Sequence, residues 1–331
     1  MSVHQKLFFE KIKSKLPANL SFVDEVAGAL SLSNDSAYRR IRCESALTLD
    51  ETTTLAAHFG VSLDGVFGSS AGSVPFRSSS ISPGTYNLHD HLGNIVKGLN
   101  FFSQFPDAET WYNAMNVPPF QIFMVPELAQ FLMYFWQRSI GHFAEFENKP
   151  FSFKNKDDKA EEMRKQILQF YIHKPVTEIW GEETMNSIIR QIEYYHEAEV
   201  FESKKDVVLL LEKLNDLILH VKREAELGYK FLFGKEPNGV EGNYKLYFNE
   251  LALSDTTVLQ MGGGNRMVYL VHNTVNFLTT SDPKFCDEVQ EGLKRLVSQS
   301  TLISGASEKQ RNRIFNRMMK RVEELKARAN S

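Results

Sequence analysis

The sequence predicts a chain in two folded parts. A small all-α domain occupies residues 1–68, a flexible linker follows over 69–85, and a larger α+β domain with a small, mainly antiparallel sheet fills 86–331. Three observations predict this division. Through residue 67 the apolar side chains recur only at helical spacing, broken by short polar turns. The stretch SSAGSVPFRSSSISPGT is rich in serine, glycine and proline and offers few apolar anchors, which is linker composition. Beyond Gly234, alternating apolar residues surround a Gly262-Gly263-Gly264 turn, the pattern of antiparallel strands after a long helical middle. At 331 residues and 42% hydrophobic, the chain is long enough to bury more than one core.

The first helix is read from MSVHQKLFFEKIKSKL, where Phe8, Phe9, Ile12 and Leu16 share a face among lysines; its apolar run is too short for a signal peptide. Phe22, Val26, Ala27 and Leu30 then mark a second helix capped by Ser21. After a short break Ser33 is a natural N-cap for a third, beginning Asn34-Asp35-Ser36. On it Ala37 and Ile41 share one face, while Asp35, Tyr38, Arg39 and Arg42 fall on the opposite side. Thr48-Leu49-Asp50-Glu51 opens the next helix, with Leu55, Ala56 and Phe59; Gly60 ends it, and Ser62 to Phe67 forms one more turn.

The succession V-A-x-x-L, SNDSAYRRI, LTLDE and LAxHFGVSLD resembles the Cro/repressor-type, lambda-repressor-like helix-turn-helix domain, over the N-terminal fifth of the chain. The resemblance implies double-stranded DNA as partner and a helix that enters the major groove. It assigns Asn34, Asp35, Tyr38 and Arg39 to base edges, and Ser33, Ser36, Arg40 and Arg42 to phosphates. Two positions depart from the family pattern. Ser31 stands where glycine is usual, so it adopts a left-handed conformation at some cost or the turn is built differently. Arg40 occupies a slot often apolar, with Ile41 expected to take over the packing. Asp35 is repelled by phosphates unless it accepts from a cytosine amine or caps the helix.

Net charge is only −3, and basic and acidic side chains balance within residues 1–77. Affinity for DNA then has to come from a local patch, with few contacts per domain and two copies acting together. Cys43 and Cys286 are far apart and lack metal-ligand spacing, which suits reduced thiols in a cytoplasmic protein. The most apolar region, Phe120 to Phe146, is interrupted by Pro126, Glu127, Gln130, Gln137 and Arg138 and fails as a membrane span.

In the larger domain, Leu88, Leu92, Ile95, Leu99 and Phe102 repeat as a heptad-like seam, read either as a helix packed on its own domain or as a dimer interface. Pro119 to Val125 reads as a strand, followed by an aromatic helix from Pro126. Asp157 to His173 is an amphipathic helix, and Pro175 opens another through Ile188, Ile192 and Tyr195. Val207, Leu210, Leu214, Leu217 and Val221 make a cleaner heptad series. Strands are read at Tyr244 to Leu253, Thr257 to Met261 and Arg266 to Val275. Helices follow from Pro283 to Leu302 and from Ser307 to Arg328, the last with a stripe of Phe315, Met318, Val322 and Leu325. This order, including FQIFMVPELAQFLMYFW and STLISGASEKQRNRIFNRM, is similar to large helix-turn-helix regulators of the Bacteroidetes type, a likeness that implies no particular effector.

Gly262-Gly263-Gly264 lacks the following helix and the lysine of a phosphate loop. His89 and His91 point to different helix faces, and His142, His173, His196, His220 and His272 are scattered singly without a catalytic motif. The expectation is therefore neither catalysis nor cofactor nor metal. The aromatic group of Phe131, Tyr134, Phe135, Trp136 and Phe143, with Trp111, Tyr112 and Phe120, is read as core or as the lining of an effector pocket. The basic excess of the last helix, from Lys309 to Arg328, is a solvated face, a set of phosphate contacts or the partner of an acidic surface. The whole describes a dimeric, cytoplasmic DNA-binding regulator responsive to a small molecule or protein; the alternative is an enzyme-like or interaction domain with an appended helix-turn-helix.

Overall fold

The computed structural model describes residues 3–13, 16, 20–61, 63, 66, 73–78, 87–140, 144–251, 255–272 and 276–330. The chain divides into two compact units, residues 1–75 and 76–331.

The first unit contains α1 (Val3–Lys13), α2 (Phe22–Leu30), α3 (Asn34–Ile41) and α4 (Leu49–His58). Its starts are the capped ones read from sequence. Ser21 accepts from the Asp24 N–H, Ser33 from the Ser36 N–H, and Thr48 and Glu51 form a reciprocal capping box. Phe8, Phe9 and Ile12 of α1 meet Val26, Ala27, Ala37, Leu55 and Val61 in one small core. Gly60 takes a positive φ of 60°, letting the Val61 N–H return to the Ala56 carbonyl and close α4. Of the turn expected at Ser62 to Phe67, residues 62, 64, 65 and 67 lie outside the described residues.

The second unit is built on a sheet of eight strands: β1 (Arg77–Ser78), β2 (Glu109–Ala114), β3 (Val176–Gly181), β4 (Tyr244–Asn249), β5 (Thr257–Gly262), β6 (Asn265–His272), β7 (Asn276–Thr280) and β8 (Thr301–Leu302). Their order is β1-β7-β6-β5-β2-β3-β4-β8. The expectation of a small, mainly antiparallel sheet is thus corrected: the sheet is larger and mixed, with β2, β3 and β4 running parallel to one another and the other five pairings antiparallel. Parallel strands buried on both faces lose the clean alternation that reveals a half-exposed strand. In β3 every residue is buried, Thr177 and Glu178 included, so no period of two is visible. The helix expected to open at Pro175 begins instead at Asn186. The strand expected at Pro119 to Val125 is a single helical turn, because Pro119 presets the φ of a helix start and the residues behind it are buried on all sides.

Along the chain the helices of this unit are α5 (Leu88–Ser103), α6 (Pro119–Ile122), α7 (Pro126–Phe135) with a π-turn over Trp136–Ile140, α8 (Ala144–Glu147), α9 (Asp158–His173), α10 (Asn186–Glu197), α11 (Lys204–Leu227), α12 (Pro283–Ser298) and α13 (Glu308–Asn330). Most pack in a thick layer on one face of the sheet, forming the main core; α12 covers Ile179, Leu259, Met261 and Val268 on the other. The GGGN stretch is the hairpin read from sequence, with Gly263 and Gly264 at positive φ between β5 and β6.

All three apolar seams are consumed inside this layer. Leu88, Leu92, Leu99 and Phe102 are buried where α5 meets α9, and the Val207 to Val221 series of α11 interlocks with the Phe315 to Leu325 stripe of α13. None is free to join a second chain. Of the expected linker 69–85, residues 69–72 and 79–85 lie outside the described residues. Arg77 and Ser78 pair with Thr279 and Leu278, and the Phe76 ring meets Phe285 edge-on, so this part of the stretch belongs to the sheet. Among the described residues, no helix is long and apolar enough to cross a membrane.

Candidate nucleic-acid interface

Helices α2 and α3 are separated by three residues. Ser31 sits at φ 54° and ψ 42°, the left-handed cap anticipated where glycine is absent, and Leu32 donates back to the Ala27 carbonyl at 2.9 Å. Ser33 then caps α3. Ala27 and Ala37, both buried, are small enough to let the two helices approach closely. The contact fixes which side of α3 faces outward.

That outward side carries Asn34, Asp35, Tyr38, Arg39 and Arg42, all exposed. Tyr38 keeps 46% of its surface exposed, and the Arg42 guanidinium lies over its ring, 5.0 Å from the centroid. Arg42 also approaches Glu44 at 3.6 Å, but both side chains are more than half exposed, so the pair is weak and easily exchanged for another anion. Arg39 makes no ion pair among the described residues. Asn34 is partly engaged, its amide donating to Asp24 at 2.7 Å, while the Ser33 hydroxyl donates to that of Ser36 at 3.1 Å. Asp35 is exposed near the N-terminus of α3.

Arg40 stands apart from the other expected contacts. Its guanidinium turns toward α4 and holds the Glu51 carboxylate, with Nη2 at 2.7 Å and Nε at 3.0 Å, and Nη1 donates to the Ser36 carbonyl at 3.2 Å. The pair is largely shielded, and the Arg40 hydrogen bond holds the Glu51 pKa below its ordinary value. Arg40 is a strut between helices, not a side chain extended toward phosphates, and Ile41 packs against the core as anticipated.

Two residues of this region were not singled out from sequence. Glu51 was visible only as a helix opener, although its place three residues after Thr48 is a capping-box signal. The signal of Gln5 is fainter, a polar residue on the same helical face as Phe8, Phe9 and Ile12.

In the second unit, polar groups converge in one cluster among the described residues. Glu178, at the centre of β3, accepts from the Tyr171 hydroxyl at 2.5 Å, the Trp180 indole at 2.9 Å and the Tyr244 hydroxyl at 3.0 Å. Gln121 donates to both hydroxyls and to Glu224, and Lys230 donates to the Lys174 and Asn243 carbonyls and to the Asn243 side chain. Burial pushes Glu178 up to about 7 and Lys230 down to about 8. All these groups are sealed beneath the helical layer, so the cluster joins α6, α9, α11 and the sheet and presents nothing to solvent.

The remaining expectations resolve as packing. His89 pairs with Asp157, the N-cap of α9, at 2.8 Å, and burial lowers His91 to about 4 beside the Trp136 ring. Phe131 is enclosed by Phe151, Phe201 and Tyr195, so those rings fill one another's space; Phe143 and His142 lie outside the described residues. The basic side chains of α13 meet acidic neighbours: Arg313 with Glu250, Arg317 with Glu182, Lys326 with Glu212 and Arg328 with Glu193. No cluster of three or more metal-ligating side chains occurs among the described residues.

Comparison of the chain with protein-family models, with curated proteins and with solved structures finds no match.

Proposed function

We propose that this chain is a sequence-specific, DNA-binding transcriptional regulator in which α2 and α3 act as a Cro/repressor-type helix-turn-helix and α3 reads the major groove. The observation that carries the reading is the outward face of α3, where Arg39, without an ion pair among the described residues, and a stacked Tyr38 and Arg42 stand beside each other on a helix held by small-residue packing. Arginine is the commonest reader of guanine edges, and an aromatic ring suits thymine methyls and sugars. Arg40 leaves the contact set, so Ser33, Ser36 and Arg42 remain for phosphates, with Asn34, Asp35, Tyr38 and Arg39 for bases.

In this reading the protein is cytoplasmic and acts as a homodimer. One such helix offers too few base contacts to select a site against nonspecific binding at ~10⁻⁴ to 10⁻⁶ M, and two copies set about one DNA turn apart supply the difference. The joining surface is not one of the three apolar seams. The second unit carries the dimerisation and effector roles, and a small molecule or protein is its effector class.

The test is selection of duplexes from a random pool by the full-length protein, followed by polarisation measurements on the enriched DNA and on DNA upstream of its own reading frame. Enrichment of one motif, with an affinity loss of ~1 to 3 kcal/mol in Arg39→Ala and unchanged melting, is the expected result. Failure to enrich any motif overturns the reading.

A further inference from the structure

The buried face of α1 is Gln5, Phe8, Phe9 and Ile12, a run of i, i+3, i+4 and i+7 in which three members are apolar and the first is a primary amide. Gln5 is only 8% exposed. Burying an amide is unfavourable unless its donors and acceptor are met. Here both its donors and its acceptor are met. Nε2 donates to the Arg40 carbonyl at 2.8 Å and to the Ser45 carbonyl at 2.8 Å, and Oε1 accepts from the Leu47 N–H at 3.1 Å.

All three partners are backbone groups of the last turn of α3 and of the segment leading to α4. That segment has no regular structure of its own, and it passes through Cys43 at φ 61°, a conformation that costs a non-glycine residue energy. Its start is tied locally, the Cys43 N–H returning to the Arg40 carbonyl and those of Glu44 and Ser45 to the Arg39 carbonyl, while the Ser45 carbonyl and the Leu47 N–H are met from outside the segment. Gln5 meets both from α1, while the Arg40 to Glu51 ion pair holds the same end of α3 from α4. The two ties act on the same helix end, beside Tyr38, Arg39 and Arg42.

We propose that Gln5 is a positioning residue for DNA recognition: it sets the pose of α3 so that its outward side chains meet base edges in register. This rests on the reading of α3 as the groove-binding helix. Base contacts require placement within about 0.5 Å, whereas phosphate contacts tolerate looser geometry. A slackened α3 therefore loses discrimination between sequences before it loses attraction to DNA. An apolar side chain at position 5 would fill the same space beside Phe8 and Phe9 but remove the Gln5 hydrogen bonds to Ser45 and Leu47, leaving the Arg40 carbonyl its local bond from the Cys43 N–H.

The experiment compares full-length wild type with Gln5→Met, which keeps length and volume but makes no hydrogen bonds. Affinity is measured on the motif enriched by wild type and on random-sequence duplex over a salt series, at a temperature where both proteins are folded by circular dichroism. The expected result is a tenfold or greater loss on the motif, with random-sequence affinity and salt slope within twofold of wild type. An unchanged ratio of the two affinities, whether both hold or both fall together, overturns the proposal and leaves Gln5 as a core residue only. If Gln5→Met does not fold, Gln5→Glu, which retains the acceptor for Leu47, takes its place; unfolding of both assigns Gln5 to folding and overturns the positioning role. A wild type that enriches no motif is a different failure, that of the groove-binding reading itself.

Discussion

Arg40 Nη2 and Glu51 Oε1 stand 2.7 Å apart and join the helix with the exposed arginines to the first turn of the helix that follows. The same carboxylate accepts from the Thr48 N–H at 3.0 Å, so one side chain closes a helix cap and braces its neighbour. Arg40→Ala should lower the stability of the first unit by about 1 to 2 kcal/mol, between the worth of exposed and buried pairs. A phosphate-contacting arginine would show no such loss. Because the Glu51 pKa is depressed by folding, this stabilisation is present above the ordinary value of 4.5 and disappears as pH falls through the folded value. Thermal melting of wild type and variant on both sides of that value checks both statements.

Ser31 and Cys43 bracket α3 at positive φ. Glycine reaches that region without the Cβ conflict, so Ser31→Gly and Cys43→Gly should each stabilise the first unit by about 0.5 to 1 kcal/mol, after allowing for glycine's greater freedom when unfolded. Denaturant midpoints decide it, and a destabilised Ser31→Gly would mean that the serine side chain contributes more than its backbone costs.

A charge placed at Leu92 or Leu99 should unfold the second unit instead of merely separating two copies. Leu92 is fully buried and Leu99 nearly so within a single chain. Leu92→Asp puts an unpaired carboxylate into that core, a loss of about 4 kcal/mol or more. Sedimentation combined with circular dichroism distinguishes the outcomes, since a folded monomer would return the seam to the role of an interface.

The buried Glu178 gives the second unit a pH signature. Its pKa rises on folding from 4.5 to about 7, so between those values the native state holds more protons than the unfolded chain, and stability falls as pH increases across that window. Lys230 acts in the opposite sense at higher pH, falling from 10.5 to about 8, so stability recovers as pH rises across its own window. In Glu178→Gln the fall between pH 4.5 and 7 should flatten while the rise associated with Lys230 remains. Denaturant titrations across the range read the slope directly, and an unchanged slope below 7 would place the proton elsewhere.

What the chain declares locally was legible before any coordinates. Ser21, Ser33 and Thr48 open helices within three residues of themselves and Ala37 and Ile41 share a face by spacing alone, whereas the sequence left two ways to build the turn at Ser31 and the structure takes the left-handed one. The hairpin at Gly263 and Gly264 was equally plain, since a glycine run between two alternating stretches supplies the residue type that can turn back at positive φ.

Only tertiary structure decided the rest. The parallel part of the sheet joins β2, β3 and β4 across long stretches of chain, and in β3 burial on both faces erases the alternation by which a strand is recognised. The amphipathic stripes of α5, α11 and α13 were visible, but a stripe does not say whether its partner lies in the same chain or another; here it lies in the same chain. Arg40 looked like its exposed neighbours because spacing locates a side chain on a helix face without naming the carboxylate it will find. Glu51 lies 11 residues away from Arg40, and Gln5 lies 35 to 42 residues before the backbone groups it holds. Such separations carry no periodic signal, since these hydrogen bonds exist only once the chain has folded back on itself.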